Sequence, residues 1–225
     1  MIKAVIFDAY GTLISTGNGS IEATRKMLNE LNILIDPGDF YKEWKTIHKN
    51  NIANMKIFEP EHNIFIRDLR ILFEKYSIHE MPEKAVSFMI HSLTGRKVFS
   101  DTNDVLNSLS KKYTICIGST SDTKPLLENI KENNIKIDYV FTSQSLKIYK
   151  PKKEFYEKIL STMQILSSEA VFVGDSLIDD VMGPQKLGIY SIWLDRSKAE
   201  NKTNIKPNAT IFSLYGLIDI LNNFK

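Results

Sequence analysis

Four short polar runs carry most of the chemistry this chain could do. They are Asp8-Ala9-Tyr10-Gly11-Thr12, Gly118-Ser119-Thr120-Ser121-Asp122, Lys150-Pro151 and Gly174-Asp175-Ser176-Leu177-Ile178-Asp179-Asp180. Together they offer carboxylates, hydroxyls and an ammonium group. A carboxylate such as Asp8 can attack a phosphorus or carbon centre and form an aspartyl intermediate, which splits one hard displacement into two easier ones. Two carboxylates, a backbone carbonyl and water make a hard-oxygen set suited to Mg²⁺. Such an ion would screen Asp8 from an anionic phosphate and draw charge off the phosphoryl oxygens. Ser119 and backbone N–H groups can donate to those oxygens. Lys150 can orient Asp8 and neutralise charge.

The runs can cooperate only if the fold brings them to one place. Ala4-Val5-Ile6-Phe7 is a continuous apolar run of the kind buried on both faces of a sheet. From about Ser20 to Gly95 the apolar residues recur at helical spacing instead: Met27, Leu28 and Leu31, then Ile64, Leu69, Ile71, Leu72 and Phe73, then Val86, Phe88, Met89 and Leu93. Pro37-Gly38 and Pro82 punctuate this stretch, which predicts about four helices. Alternation follows. A helix is expected over Asp101–Lys111 with Ser100 or Asp101 as N-cap, then strand Tyr113–Ile117, helix Lys124–Asn133 and strand Tyr139–Thr142. Helix Pro151–Met163 comes next, with Pro151 near its first turn, then strand Ala170–Val173 and helix Ile178–Leu187 ended by Gly188. Strand Tyr190–Leu194, a polar loop Ser197–Asn208, strand Ala209–Phe212 and helix Leu214–Leu221 close the chain. Strands alternating with helices predict an α/β fold, a doubly wound parallel sheet with an inserted all-helical cap domain. In such sheets ligands bind at the carboxyl ends of the strands, where all four polar runs stand. The expected division is an α/β core of residues 1–14 and 97–225 and a cap of residues 15–96.

Composition narrows the class further. Of 225 residues, 43% are hydrophobic and 25% charged, enough to bury a real core. Twenty-nine basic residues against 27 acidic ones give a net charge of +2, which makes no case for a nucleic-acid binder. The single cysteine, Cys116, allows no internal disulfide and is expected reduced in the core. No apolar stretch approaches the roughly 20 residues needed to span a bilayer, and no signal-like segment opens the chain. A cytoplasmic protein, monomer or homodimer, without membrane or nucleic-acid partners is expected. No G-x-G-x-x-G follows the first strand, which removes a dinucleotide-binding reading. A receiver-type phosphorylation domain also uses a strand-end Asp, Mg²⁺ and Lys, but has no helical insertion after its first strand.

In order along the chain, D-x-x-G-T, Ser after a strand, K-P and G-D-x-x-x-x-D resemble the four motifs of the haloacid-dehalogenase-like hydrolases. The helical stretch stands where that superfamily inserts its cap. The resemblance implies Asp8 as nucleophile, with Thr12 and Ser119 holding the transferred group or supporting Asp8, and Lys150 bridging the charges. It implies Mg²⁺ held by Asp8, the Tyr10 backbone carbonyl and Asp175, with Asp180 supporting a metal water or Lys150. Tyr10, Gly11, Thr120 and Tyr156 are the expected substrate contacts. The substrate expected on this resemblance is a small anionic phosphomonoester, a phosphorylated metabolite.

Tyr10 departs from the phosphatase pattern, which places a second Asp there as general acid and base, a role typically worth about 10²–10⁴-fold. Asp-Ala-Tyr-Gly-Thr-Leu and Tyr156 resemble the 2-haloacid dehalogenase branch, which needs no metal. Against that branch stand Asp175, Leu177 in place of its Asn, and the scarcity of Arg early in the cap: Arg25 is the only one between Asp8 and Arg67. A non-catalytic binding protein on the same scaffold is the third reading. His48, His62, His79 and His91 all fall in the cap without metal-ligand spacing, and packing or surface roles are expected for them. His48 is the first suspect should the cap supply the missing acid. Lys147, Lys152 and Lys153 are expected to be solvated surface around Lys150, and Asp179 an exposed acidic residue.

Overall fold

The computed structural model describes residues 1–224. Six strands form one sheet in the order β3-β2-β1-β4-β5-β6, every neighbouring pair parallel. They are β1 (Ala4–Phe7), β2 (Thr114–Ser119), β3 (Tyr139–Thr142), β4 (Ala170–Gly174), β5 (Tyr190–Leu194) and β6 (Ala209–Ile211). All four residues of β1 are buried, because helices cover both faces of the sheet. Alternate side chains feed two cores. Val5, Phe7, Ile115, Ile117, Val171 and Val173 pack with α5 (Thr102–Leu109), α6 (Thr123–Glu132) and α10 (Tyr215–Asn222). Ile6, Cys116 and Phe172 pack with Phe155, Tyr156 and Ile159 of α8 (Lys153–Met163). Two short helices, α7 (Ser143–Leu146) and α9 (Gly183–Gln185), complete this part.

Between β1 and α5 the chain forms α1 (Gly19–Glu30), α2 (Pro37–Ala53), α3 (Glu61–Lys75) and α4 (Pro82–Ser92). Their apolar stripes close on one another around Met27, Phe40, Trp44, Leu69, Phe73 and Val86, a core separate from the two under the sheet. Asp36 opens α2 by accepting from the N–H groups of Gly38 and Asp39, each at 2.9 Å, with Pro37 just inside the helix. The entering and leaving segments run side by side: Ser15 N–H donates to Lys97 O at 2.8 Å and Phe99 N–H to Leu13 O at 3.0 Å. No helix among the described residues is long and apolar enough to cross a membrane.

Four local expectations are corrected. The segment after β4 does not run as one α-helix: a wider turn spans Leu177–Met182 and α9 covers only Gly183–Gln185. Pro151 lies before α8, which starts at Lys153. Asp101 stands at the start of α5 but makes no capping bond. Its buried carboxylate instead accepts both terminal nitrogens of Arg196, at 2.9 and 3.0 Å, and Leu214 N–H at 2.8 Å. Ile71, read as part of the apolar stripe of α3, is 42% exposed.

Candidate active site

Asp8 is the first residue past β1, and its N–H still extends the ladder by donating to Val173 O at 2.8 Å. The chain then folds back on itself. Leu13 and Ile14 both donate to Ala9 O, and Gly11 N–H donates to Ile14 O at 2.8 Å. The Tyr10 carbonyl is spent on none of these bonds. Gly11 has φ +96°, and a Cβ there would lie 2.5 Å from Asp175 Oδ2. Only glycine allows the Asp8 loop and the Asp175 carboxylate to approach this closely. Arg196 buttresses the loop from behind, donating to Thr12 O at 2.9 Å while gripped by Asp101.

Beyond β4, Gly174 plays the matching part: a Cβ there would meet Asp180 Cγ at 2.2 Å. Asp180 therefore folds back under the strand end, where Oδ2 accepts Ser176 N–H at 2.9 Å. The wide turn at Leu177–Met182 is what this fold-back requires. Lys150 joins the two strand ends. Its Nζ donates to Asp8 Oδ1 and to Asp180 Oδ1, each at 2.7 Å, from a side chain only 1% exposed. Burial opposes the lysine's charge, but Asp180 and then Asp8 overcome it and hold its pKa well above the ordinary value. The carboxylates carry the opposite strain. Asp180 is pushed well above the usual range by burial, against the pull of Lys150. Asp175, open to the crevice but set amid protein on its other sides, rises to about 7 through lost solvation and then the charge of Asp8.

Asp8, Asp175 and Asp180 each offer an oxygen within 4.8 Å of the others. Three carboxylates against one ammonium leave an excess of negative charge in a poorly solvated place. An all-oxygen donor set with unbalanced charge fits a hard dication such as Mg²⁺.

The other expected residues fall differently. Thr120 and Ser121 line the crevice in front of these groups. Ser119 is buried and accepts from Ser121 Oγ at 3.0 Å, which leaves its own proton to donate. The Thr12 hydroxyl is buried without a partner among the described residues. Tyr10 lines the crevice, but its hydroxyl accepts from Asn129 Nδ2 at 3.0 Å and its ring lies 5.3 Å from the Arg96 guanidinium. Burial pushes that phenol up to about 12. Tyr156 is corrected as a substrate contact: it is packed under the site, 1% exposed, and donates its hydroxyl to Asp179 O. It supports the wide turn that carries Asp180. Asp179 is half-buried on the crevice wall and pairs with Ser176 Oγ at 3.2 Å, not an exposed acid.

The crevice holds about 820 Å³ between the sheet end and the helical cap. Lys152 and Lys153 line it, as do Lys45 and Lys49 of α2 and Lys186, so the rim is basic on both sides. Lys147 does not reach it. Arg96, Glu61 and Asp68 are the participants sequence reasoning missed. Arg96 leaves no motif. Asp68, however, interrupts the apolar stripe Ile64, Phe65, Leu69, Leu72 of α3 and is fully buried, a signal that could have been read. Its partner is His48, with Nδ1 at 2.6 Å from Asp68 Oδ2. His48 is held protonated up to about 9: burial lowers it, and Asp68 and Glu61 more than restore it.

A parallel sheet of this order, a strand-end carboxylate bridged by lysine to a second acidic loop, and a helical cap over both define a capped α/β hydrolase. The family model of haloacid dehalogenase-like hydrolases matches residues 5–194, and the chain belongs to that family. It is 24% identical over 236 aligned residues to pyrimidine 5'-nucleotidase PynA of Streptococcus pneumoniae, covering 98% of this chain and 95% of that protein. L-2-haloacid dehalogenase from Xanthobacter autotrophicus has the same fold, with a TM-score of 0.83 at 16% identity and full coverage of both chains. So does the HAD-hydrolase YfnB from Bacillus subtilis bound to magnesium, at 0.81 and 19%, covering 98% and 99%.

Proposed function

We propose that this hydrolase is a Mg²⁺-dependent phosphatase that acts on small phosphomonoesters through an aspartyl-phosphate on Asp8. The observation that carries this reading is the Asp8, Asp175, Asp180 cluster, three carboxylate oxygens within 4.8 Å with one bridging lysine. Mg²⁺, when bound, would supply charge for the transferring phosphoryl group, with Asp8, Asp175 and the Tyr10 carbonyl as ligands and Asp180 behind them. Asp8 attacks phosphorus. Lys150 keeps it aimed through the 2.7 Å bond to Oδ1, and Ser119, Thr120 and the loop N–H groups receive the phosphoryl oxygens. Residues 15–96 act as the cap that excludes water in the first step. The basic rim favours anionic substrates. The nucleotidase activity of PynA, a relative aligned over nearly the whole chain, supports the same class. The reading includes a cytoplasmic site of action.

A dehalogenase reading has one specific observation behind it, Tyr10 at the position where that branch carries Tyr. Two features oppose it. A carboxylate placed where it could hold a cation with Asp8 and Asp180 stands at Asp175, and Arg25, the one arginine between Asp8 and Arg67, is exposed and pairs with Glu22 at 3.4 Å outside the crevice. The test is phosphate release from a panel of phosphomonoesters with and without Mg²⁺, beside halide release from short 2-haloacids. Mg²⁺-dependent phosphate release is expected. Halide release without metal, and no phosphate, would replace this reading with the dehalogenase one.

The cation should also act on stability. Mg²⁺ at about 100 times its dissociation constant is expected to add about 2.7 kcal/mol, or several degrees in Tm for a chain of this size. Asp175→Asn should lose most of that increment in a thermal melt. An equal increment in the variant would place the ion elsewhere.

A further inference from the structure

With Tyr10 in place of the usual acid, some other group must protonate the leaving oxygen. Tyr10 places its hydroxyl at Asn129 Nδ2, 3.0 Å away, and that nitrogen also donates to Leu93 O in the segment leaving the cap, so the hydroxyl is held toward the cap junction. The cap offers another group. Glu61 is the first residue of α3, whose N-cap, Pro60, has no side-chain acceptor. The core supplies one instead: Asp122, three residues past Ser119, accepts Glu61 N–H at 3.0 Å and His62 N–H at 3.1 Å. From the other side Tyr149, next to Lys150, donates to Glu59 O at 3.2 Å and stacks on Phe58. The two loops that carry Ser119 and Lys150 thus grip the segment that carries Glu61. Its side chain lines the crevice beside Tyr10.

Glu61 is also the end of a charged chain. Its Oε1 lies 3.6 Å from His48 Nε2; His48 Nδ1 is 2.6 Å from Asp68 Oδ2, and Asn51 Nδ2 donates to Asp68 Oδ1 at 2.6 Å. Asp68 is fully buried, and His48 is stacked on Phe65, so the imidazole has little freedom to turn. A buried carboxylate that fixes an imidazole, which in turn faces a crevice carboxylate, is an arrangement that can hold and return one proton.

We propose that Glu61 is the acid–base group of the reaction, presented by the cap in place of the missing carboxylate, with His48 and Asp68 as positioning residues. This rests on the phosphatase reading. In the first step Asp8 forms a bond to phosphorus, the bond from phosphorus to the leaving oxygen breaks, and the proton held on His48 passes through the Glu61 carboxylate to that oxygen. In the second, water attacks phosphorus, Glu61 takes the water's proton and returns it to His48, and the bond from Asp8 to phosphorus breaks. Phosphate leaves, and His48 again carries the proton.

The test is Glu61→Gln with two esters in pre-steady-state kinetics. p-Nitrophenyl phosphate has a leaving group that needs no proton, whereas glycerol phosphate has one that does. The variant is expected to release about one equivalent of p-nitrophenol per site in a fast burst and then turn over slowly, because hydrolysis of the intermediate has lost its base. With glycerol phosphate the first step itself should slow by about 10²–10⁴-fold and show no burst. The burst also shows that the variant is folded. His48→Gln should show the same split at smaller size, and it answers the question should Glu61→Gln not fold. Wild-type rates on both esters, or an equal loss of the first step on both, would overturn the assignment while leaving the phosphatase reading intact. A wild-type protein that releases no phosphate from any ester would overturn both.

Discussion

Asp8→Asn is expected to abolish turnover, by roughly 10⁴-fold or more, since a nucleophile lost outright is among the costliest changes an active site can suffer. The amide cannot attack phosphorus as a carboxylate does, yet it has the same shape. It can still accept from Lys150 through its oxygen, in place of the 2.7 Å bond to Asp8 Oδ1. Lys150 also keeps its second partner, Asp180. The fold should therefore survive with a Tm within a few degrees of wild type. Phosphate release under saturating Mg²⁺, with a thermal melt of the same sample, checks both halves. Activity near wild type in the Asn variant would remove Asp8 from the nucleophile role.

Legibility in the sequence divides along a physical line. β3 and β5 match their expected bounds because a short apolar run flanked by polar loops has few other ways to be buried. Three of the cap helices emerge from apolar spacing, since their stripes are the surface they close on, while α2 shows itself only by the punctuation at Pro37-Gly38. Asp8, Lys150 and Asp180 meet as expected because each stands at or near a strand end of one parallel sheet. The failures lie where a tertiary contact overrides local preference. Asp180 must fold under Gly174, so the segment after β4 winds wide rather than as an α-helix. Asp101 leaves the cap of α5 because Arg196 offers it two charged donors. Asp122, at the start of α6, spends its carboxylate on the first turn of α3 across the crevice, a pairing with no local signal. The Asp68–His48–Glu61 chain draws on α2 and α3 at separations no motif records, and only the buried acid on an apolar stripe betrays it.

Lys150→Met should be the most destabilising change at the site. A methionine fills much of the lysine's volume but donates nothing, so Asp8 and Asp180 lose the cation they share. Removing one partner from a buried ion pair typically costs about 3–5 kcal/mol, which here means a Tm lower by roughly 10 °C. The pH dependence follows from the direction of the carboxyl shifts. Asp180 is already held well above its ordinary pKa by burial, with Lys150 pulling it down, so the variant should raise it further. A carboxyl whose folded pKa exceeds its unfolded one contributes stability that is full below about pH 4 and is lost as the pH rises through the folded value. The gap in Tm between wild type and variant, measured with the metal chelated, should therefore be smallest in acid, where Asp180 is protonated in both, and widen as the pH rises through the wild-type folded value of Asp180. Mg²⁺ should close part of the gap at the higher pH, because a dication among the carboxylates supplies charge that the lysine no longer does. A gap that stays constant with pH and ignores Mg²⁺ would mean that the lysine stabilises the site by packing, and that its charge is not what holds Asp8 ready.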